Sequence, residues 1–147
     1  MRIVIGSDHG GYTLKKAIIK HLEEKGYEVI DVGTYSEESV DYPDFAKKAA
    51  KMISQKKVDR GILICKTGIG MSIAANKIKG IRAANVNYIY TAKLSRKHND
   101  ANIITIGSQI LKPEKAIKII ESWLSTEFEG GRHRKRIEKI LKLEKEG

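Results

Sequence analysis

The sequence predicts an α/β fold: a single-domain, Rossmann-like three-layer sandwich with a five-stranded parallel sheet and helices on both faces. Short apolar segments alternate with longer segments whose apolar residues recur every three or four positions, which is typical of strands alternating with helices. A chain of 147 residues has the length of one domain, and no linker, repeat or low-complexity stretch divides it. Residues 1–147 are therefore expected to form one domain.

Five apolar segments are predicted as strands, because they are short and bounded by glycine or polar turns. They span residues 2–6, 27–33, 61–64, 81–86 and 101–107. Strands joined by helices form right-handed crossovers, so the sheet is parallel and has helices on both faces. Ligands of such sheets bind at the carboxyl ends of the strands, near a topological switch point.

Helical periodicity occupies the segments between these strands. The first helix carries Leu14, Ile18 and Leu22 on one face and stops at Gly26, and a later helix has Pro113 in its first turn. The remaining helices are predicted over about 44–55, from 72 to about 79, up to about 97, and over about 131–146. The last of these lies beyond the sheet, so it is expected to pack across a partner subunit.

The composition limits the possible settings of the protein. The formal net charge is +10, which indicates lysine-covered helix faces in solvent more strongly than a nucleic-acid surface, and it also favours attraction of small anions. The single cysteine excludes an internal disulfide and fits a reducing cytoplasm. No apolar run approaches the ~20 residues that span a bilayer. A cytoplasmic protein without a membrane partner is expected.

The segment that begins at Cys65 has the strongest chemical signal. The third strand ends at Cys65, Gly68 and Gly70 follow, and a helix is predicted from Ser72. Free backbone N–H groups and the helix dipole make such a turn a site for an oxyanion. The helix N-terminus and Lys66 both stabilise a thiolate, which acts as a nucleophile or a base. The alternative is an ordinary buried cysteine.

Common cofactor motifs are absent. The dinucleotide fingerprint requires a third glycine where this chain has Ile73, and no Gly-Lys-Ser/Thr P-loop occurs. No set of cysteines and histidines has metal-ligand spacing. Neither a nucleotide cofactor nor a metal is expected.

Other polar residues support anion chemistry, and each has a structural alternative. Asp8 and His9 follow the first strand and also suit a helix cap, whereas His98 suits either a catalyst or a helix end. Arg132 and Arg136 lie on one helical face as a phosphate-binding pair or as a solvated basic tail. Together with the thiol they favour proton abstraction beside a carbonyl of a phosphorylated sugar, which produces an enediolate.

Six motifs then resemble ribose-5-phosphate isomerase type B, in register from Arg2 to about Ile140. The related subunits of galactose-6-phosphate isomerase share several of them. The motifs are SDHGGY at 7–12, SVDYPD at 39–44, CxTGIGxSIAANK at 65–77, GIRAA at 80–84, SRxHNDAN at 95–102 and GGRH at 130–133.

The resemblance implies an enzyme of the pentose phosphate pathway that interconverts D-ribose 5-phosphate and D-ribulose 5-phosphate through a cis-enediolate, without a cofactor. It implies that Cys65 moves the proton between C1 and C2 and that His98, with Asp8, assists ring opening. Thr67 orients the thiol or a substrate oxygen. The remaining implied substrate contacts are the turn residues Gly68, Ile69, Gly70 and Ser72 at the enediolate, His9, Arg132 and Arg136 at the phosphate, and Tyr42 and Asn99 at the sugar.

The resemblance also implies a homodimer with active sites shared between subunits, or a tetramer built from such dimers. Two departures affect the expected site, because the family usually has glycine where this chain has Lys66 and arginine where it has Gln109. A lysine at a position of positive φ would be strained and would tilt the N–H groups, whereas at an ordinary φ it is free to reach the substrate. The open alternatives are an isomerase of allose or galactose 6-phosphate, and a catalytically impaired homologue that binds sugar phosphates or nucleic acid.

Overall fold

Five parallel strands form one sheet, as the alternation of apolar segments predicts. The computed structural model describes all 147 residues. The strands are β1 (Arg2–Ser7), β2 (Glu28–Asp31), β3 (Arg60–Cys65), β4 (Ala83–Asn85) and β5 (Ile103–Gly107), in the order β2-β1-β3-β5-β4. Every neighbouring pair is parallel. The chain runs from β1 to β2 on one side and then crosses to β3 on the other side of β1. The topological switch point therefore lies between β1 and β3.

Six α-helices connect and follow these strands. They are α1 (Tyr12–Glu24), α2 (Tyr42–Ser54), α3 (Ile69–Ala75), α4 (Ile89–Lys97), α5 (Pro113–Leu124) and α6 (Arg132–Glu146), and a 3₁₀ turn at His9–Gly11 precedes α1. None of them combines the length and apolar character that crossing a membrane requires.

Two apolar cores cover the two faces of the sheet. Alternate residues of the central strands point to opposite faces, so that Ile62 and Ile64 pack with α1, α4 and α5 while Leu63 and Cys65 pack with α2 and α3. Trp123 of α5 is fully buried in the first core. The predicted three-layer α/β sandwich is confirmed.

The boundaries of α3 and β4 differ from the sequence prediction. The helix begins at Ile69 rather than Ser72 and ends at Ala75 rather than near residue 79. It ends there because the side chain of Asn76 binds the backbone of Ala83, accepting from its N–H at 2.8 Å and donating to its carbonyl at 3.0 Å. Asn102 accepts from the N–H of Arg82 at 2.8 Å, so β4 begins only at Ala83. These side-chain bonds replace backbone pairing that periodicity alone predicts.

The C-terminal helix α6 has little of its surface buried within the chain. Only His133 and Ile137 are buried, and Glu144 accepts a hydrogen bond from the N–H of Gly80 at 3.0 Å. Ile140 and Leu143 are exposed by 41% and 64%. Both line a groove of about 860 Å³ between α6 and the segment that joins α3 to β4.

Candidate active site

The pairing of β1 with β3 brings Asp8 beside Cys65. Ser7 lies opposite Ile64 in the sheet, and the N–H of Asp8 donates to the carbonyl of Ile64 at 3.2 Å. The residue that follows each strand is therefore delivered to the same edge. Both lie at the switch point between β1 and β3, where ligands of open α/β sheets bind.

The turn after β3 folds back onto the thiol. The N–H of Gly68 donates to Cys65 Sγ at 3.1 Å, and Cys65 itself is 6% exposed. Gly68 has a φ of +84°, which side-chain-bearing residues rarely adopt. A Cβ at this position would also lie 2.3 Å from Asn85 Nδ2, which donates to the carbonyl of Thr67 at 3.2 Å. Glycine is required here for both reasons.

The first turn of α3 uses only some of its N–H groups within the chain. Ile69 donates to Thr67 Oγ1 at 3.2 Å, and Ser72 donates to the carbonyl of Gly68 at 3.1 Å. The N–H groups of Gly70 and Met71 have no acceptor in the chain. Of the turn residues predicted from the sequence, Gly70 is thus the one whose N–H is open to a substrate oxyanion, because Met71 is fully buried.

Tyr42 lies directly over this turn. It is the first residue of α2, which begins two residues earlier than predicted because Pro43 suits the first helical turn. A Cβ at Gly70 would be 2.5 Å from Tyr42 Cζ and 2.9 Å from its hydroxyl oxygen. The glycine therefore allows the phenol to contact the backbone of the oxyanion turn.

Asp8 has the capping geometry that the sequence left as an alternative, at the 3₁₀ turn before α1, whereas His9 does not cap a helix. Asp8 Oδ1 accepts from the N–H of Gly11 at 3.1 Å, and Asp8 is 6% exposed. His9 Nδ1 accepts from the N–H of Val40 at 3.2 Å. In the neutral ring, Nε2 consequently carries the proton and is a hydrogen-bond donor.

The loop after β5 fixes the backbone of this site, which sequence reasoning did not foresee. The N–H of Ser108 donates to the carbonyl of Cys65 at 2.9 Å and that of Gln109 to the carbonyl of Lys66 at 3.0 Å. The hydroxyl of Ser108 donates to the carbonyl of Gly10 at 2.6 Å. In the sequence, the only indication of this close contact is the glycine at the end of β5. A Cβ at Gly107 would lie 2.7 Å from the carbonyl oxygen of Lys66.

Two adjoining cavities open at this edge of the sheet. One has a volume of about 510 Å³ and includes His9, Asp41 and Asp44 in its lining. The other, of about 430 Å³, is lined by the thiol and the residues of the oxyanion turn, namely Cys65, Thr67, Ile69, Gly70 and Ile73. Asp8, Tyr42 and Lys66 line both. We call the two cavities together the cleft.

Lys66 does not strain the turn. The left-handed residue of the turn is Gly68. Apart from glycines, only Lys56 and Asp100 have a positive φ, so the φ of Lys66 is ordinary. The side chain of Lys66 lies across Gly10, where a Cβ would be 2.8 Å from Lys66 Cγ. The departure from glycine at position 66 therefore changes the lining of the cleft rather than the direction of its N–H groups.

His98 lies outside the cleft, in a cluster with His133 and Glu129. It ends α4, as the helix-end alternative predicted, and its ring stacks on that of His133 at 4.2 Å between centroids. The Nε2 atoms of His98 and His133 lie 3.7 and 3.6 Å from Glu129 Oε1. Burial of the imidazole, the neighbouring His98 and the charge of Arg132 lower the pKa of His133.

This cluster is poorly arranged for a metal ion. The candidate ligand atoms of His98, Glu129 and His133 lie within 4.8 Å of one another. However, the two rings are only 15° from parallel, and a metal bound to an imidazole nitrogen must lie in the plane of that ring. Two nearly parallel planes share no point close to both nitrogens. The arrangement suits a carboxylate acceptor shared by two imidazoles.

The remaining predicted site residues also lie away from the thiol. Asn99 lines the groove beside α6, and Arg132 and Arg136 are exposed in the first turns of that helix. None of these three residues, nor His98, lines the cleft. Within one chain, the structure thus brings together the residues that follow β1, begin α2 and follow β3, and it leaves those of α4 and α6 apart.

Comparison with known proteins identifies the fold and its relatives. Ribose-5-phosphate isomerase B of Escherichia coli K12 is 49% identical over 143 residues, which cover 97% of this chain and 96% of the relative. A solved structure of Clostridium thermocellum ribose-5-phosphate isomerase B matches with a TM-score of 0.98 at 53% identity over 99% of both chains.

A second solved structure contains a ligand. It is ribose-5-phosphate isomerase B from Mycoplasma genitalium with bound ribulose-5-phosphate, and it matches with a TM-score of 0.94 at 47% identity over 99% of this chain and 97% of that one. The family model described as ribose/galactose isomerase matches residues 3–140. This chain therefore belongs to the ribose/galactose isomerase family.

Proposed function

We propose that this protein is an aldose–ketose isomerase that interconverts D-ribose 5-phosphate and D-ribulose 5-phosphate. The observation that carries the proposal is the position of Cys65, with a backbone donor on its sulfur at 3.1 Å and the oxyanion turn beside it. Relatives of nearly the same length, at about half identity, are named ribose-5-phosphate isomerase B.

The proposed reaction moves one proton between two carbons and one between two oxygens, and it requires no external redox partner. The Cys65 thiolate removes the proton from C2 of the open-chain aldose, and the electron pair moves to the carbonyl oxygen at C1 to form a cis-enediolate. The proton of the C2 hydroxyl then moves to the C1 oxygen. As the C2 oxygen becomes a carbonyl, C1 takes the proton back from the thiol, which yields the ketose and restores the thiolate. The N–H of Gly68 stabilises the thiolate, while that of Gly70 stabilises the enediolate.

Other groups of the cleft have separate roles in this proposal. The hydroxyl of Thr67 accepts from the N–H of Ile69, so its own proton is free for a substrate oxygen. Asp8, which lines both cavities, takes part in the proton transfers of ring opening. His9 donates through Nε2 to the phosphate, and the phenol of Tyr42 contacts the sugar.

A second copy of the chain completes the proposed site. His98, Asn99, Arg132 and Arg136 bind substrate or catalyse ring opening in this proposal, yet in one chain they lie outside the cleft. A homodimer, alone or paired into a tetramer, places these residues of one copy at the cleft of the other, with α6 packed on the neighbour. The apolar side chains that this packing would cover are exposed in the single chain; they include Ile69, Ile73, Tyr88, Tyr90, Ile140 and Leu143.

A coupled assay on ribose 5-phosphate tests the proposal. The unmodified protein should isomerise this substrate without added metal or nucleotide, and Cys65→Ala should lower kcat by about 10³-fold, within the usual range for loss of a general base. Cys65→Ala should retain the native circular dichroism spectrum and bind ribose 5-phosphate. Full activity of the Cys65→Ala variant would contradict the assignment of the base.

The alternative substrate class is a 6-phosphohexose, because the matching family model is described as a ribose/galactose isomerase. A panel of ribose 5-phosphate, allose 6-phosphate and galactose 6-phosphate separates the two. We expect kcat/KM to be highest for the pentose phosphate. The impaired-homologue alternative loses its physical basis, since Lys66 has an ordinary φ and does not distort the oxyanion turn.

A further inference from the structure

Lys66 is the one residue of the cleft lining that always has a positive charge. The lining contains three carboxylates, those of Asp8, Asp41 and Asp44, and one imidazole, that of His9. No arginine and no other lysine belongs to it. Without Lys66, the part of the cleft that one chain supplies would repel a phosphate ester.

The ammonium group of Lys66 is not committed to any of these carboxylates. It makes no ion pair, although Asp8 and Asp44 line the same cavity. Lys66 is also an exposed residue. The charge is therefore available to a ligand.

The backbone and the side-chain stem of Lys66 both contact other parts of the chain. Its carbonyl accepts from the N–H of Gln109 at 3.0 Å, which fixes the backbone. Along the side chain, Cγ and Cε lie 2.8 and 3.4 Å from the position of a Cβ at Gly10, so the stem rests on the backbone of the Gly10 turn. A stem that rests on a neighbouring backbone loses less rotational freedom when its ammonium binds an anion.

We propose that Lys66 binds the phosphate group of the substrate, as the cationic phosphate ligand that comes from the same chain as Cys65. Lys66 lines the cavity of His9 as well as that of the thiol, so its ammonium acts with the Nε2–H of His9 at one end of the sugar phosphate while the reacting carbons lie at the thiol. The identity of the sugar phosphate rests on the proposed function. Binding of a phosphate group by Lys66 is predicted whichever phosphorylated compound is the substrate.

The test compares Lys66→Gln, which keeps the stem and removes the charge, with Lys66→Arg, which keeps the charge. Lys47→Gln is the matched control, because Lys47 is exposed on α2 and belongs to neither cavity. For ribose 5-phosphate, Lys66→Gln should raise KM about tenfold and change kcat less than about threefold, the result of removing binding that is equal in the ground and transition states. The other two variants should stay close to the unmodified protein.

A second readout does not depend on isomerisation. Inorganic phosphate should slow the alkylation of Cys65 by iodoacetamide, and Lys66→Gln should need about tenfold more phosphate for the same protection. Absence of activity on ribose 5-phosphate with this protection intact would refute the proposed substrate but leave the role of Lys66 standing. Equal phosphate protection in Lys66→Gln and Lys47→Gln would overturn the proposal, as would a fall in kcat at unchanged KM.

Discussion

The N–H of Gly68 donates a hydrogen bond to Cys65 Sγ at 3.1 Å, and the left-handed φ of +84° at Gly68 makes this possible. In the proposed reaction this donor binds the thiolate that acts as the base. The same conformation places the following N–H groups at the start of α3. One glycine thus positions both the base and the oxyanion donor of the proposed reaction.

Replacing Gly68 by alanine should show how much the bond to sulfur and the placement of the oxyanion turn contribute to catalysis, apart from ordinary backbone strain. A Cβ would lie 2.3 Å from Asn85 Nδ2, so the turn must move away from the sulfur. We expect kcat to fall by about 10- to 100-fold, since a hydrogen bond to a charged group contributes ~1.5–3 kcal/mol. Alkylation of Cys65 by iodoacetamide should slow in parallel.

Gly80→Ala is the matched control for this prediction. Gly80 has the same φ of +84°, yet a Cβ there meets no atom within 4 Å. Both variants should lose about 1–2 kcal/mol of unfolding free energy to the left-handed backbone, as measured by urea denaturation, and Gly68→Ala should lose more because its Cβ also meets Asn85 and the backbone of Ile106. Only Gly68→Ala should lose activity. Equal loss of activity in both would show that the bond to sulfur is unimportant.

A mixing experiment tests the proposal that two subunits share each active site. Cys65→Ala and His98→Asn should each be nearly inactive alone, because each dimer lacks one group in both sites. After subunit exchange at equal concentrations, half of the dimers contain one intact site, so activity should return to roughly a quarter of the unmodified value. The coupled assay measures this recovery.

The control for mixing pairs two defects on the same side of the site. Asp8 and Cys65 both line the cleft of one chain, so every site in a mixed dimer of Asp8→Asn and Cys65→Ala carries one defect. No recovery is expected for this pair. Recovery of activity in this control mixture would contradict the proposed sharing. So would the absence of recovery when Cys65→Ala is mixed with His98→Asn.

The stability of the protein should fall in mild acid through His133. Its pKa is lowered in the folded state by burial, by His98 and by Arg132, whereas in the unfolded chain it returns to about 6.5. As the pH falls below this value, the unfolded state binds a proton that the folded state does not, which favours unfolding. From pH 7.5 to pH 5.5, the melting temperature should fall further in the unmodified protein than in His133→Gln. Parallel curves for the two proteins would refute this.

Lys15 should be important for stability and not for catalysis. Its ammonium is fully buried and donates to Asp31 Oδ1 and to the carbonyl of Thr34, both at 2.6 Å. Lys15→Met keeps the stem but leaves both acceptors without this donor, so the unfolding free energy should fall by about 1.5–3 kcal/mol. Lys20→Met, at an exposed position of the same helix, should change it by less than about 0.5 kcal/mol. Urea denaturation of the two variants measures the difference, and equal stability would contradict the importance of the buried bonds.

Elements whose cause is local could be predicted from the sequence alone. Apolar runs and helical spacing identified all five strands and the helices, and the resemblance of the motifs identified the family. The turn from Cys65 to Gly70 was also readable, because glycine, a strand end and a helix start produce open N–H groups from a few neighbouring residues. Element ends were less predictable where distant side chains intervene, as Asn76 and Asn102 do at β4.

Which of these local elements come into contact could not be predicted without the folded structure. Strand order is set by how the crossover helices pack on the sheet, and this puts Asp8 beside Cys65 while α4 ends on the side of α6, with His98 against His133. The ordinary φ of Lys66 likewise depends on a loop more than forty residues later in the chain, whose Gln109 binds its carbonyl. Long-range hydrogen bonds and close packing of this kind leave no periodic trace in a sequence, because each depends on two segments that are folded together.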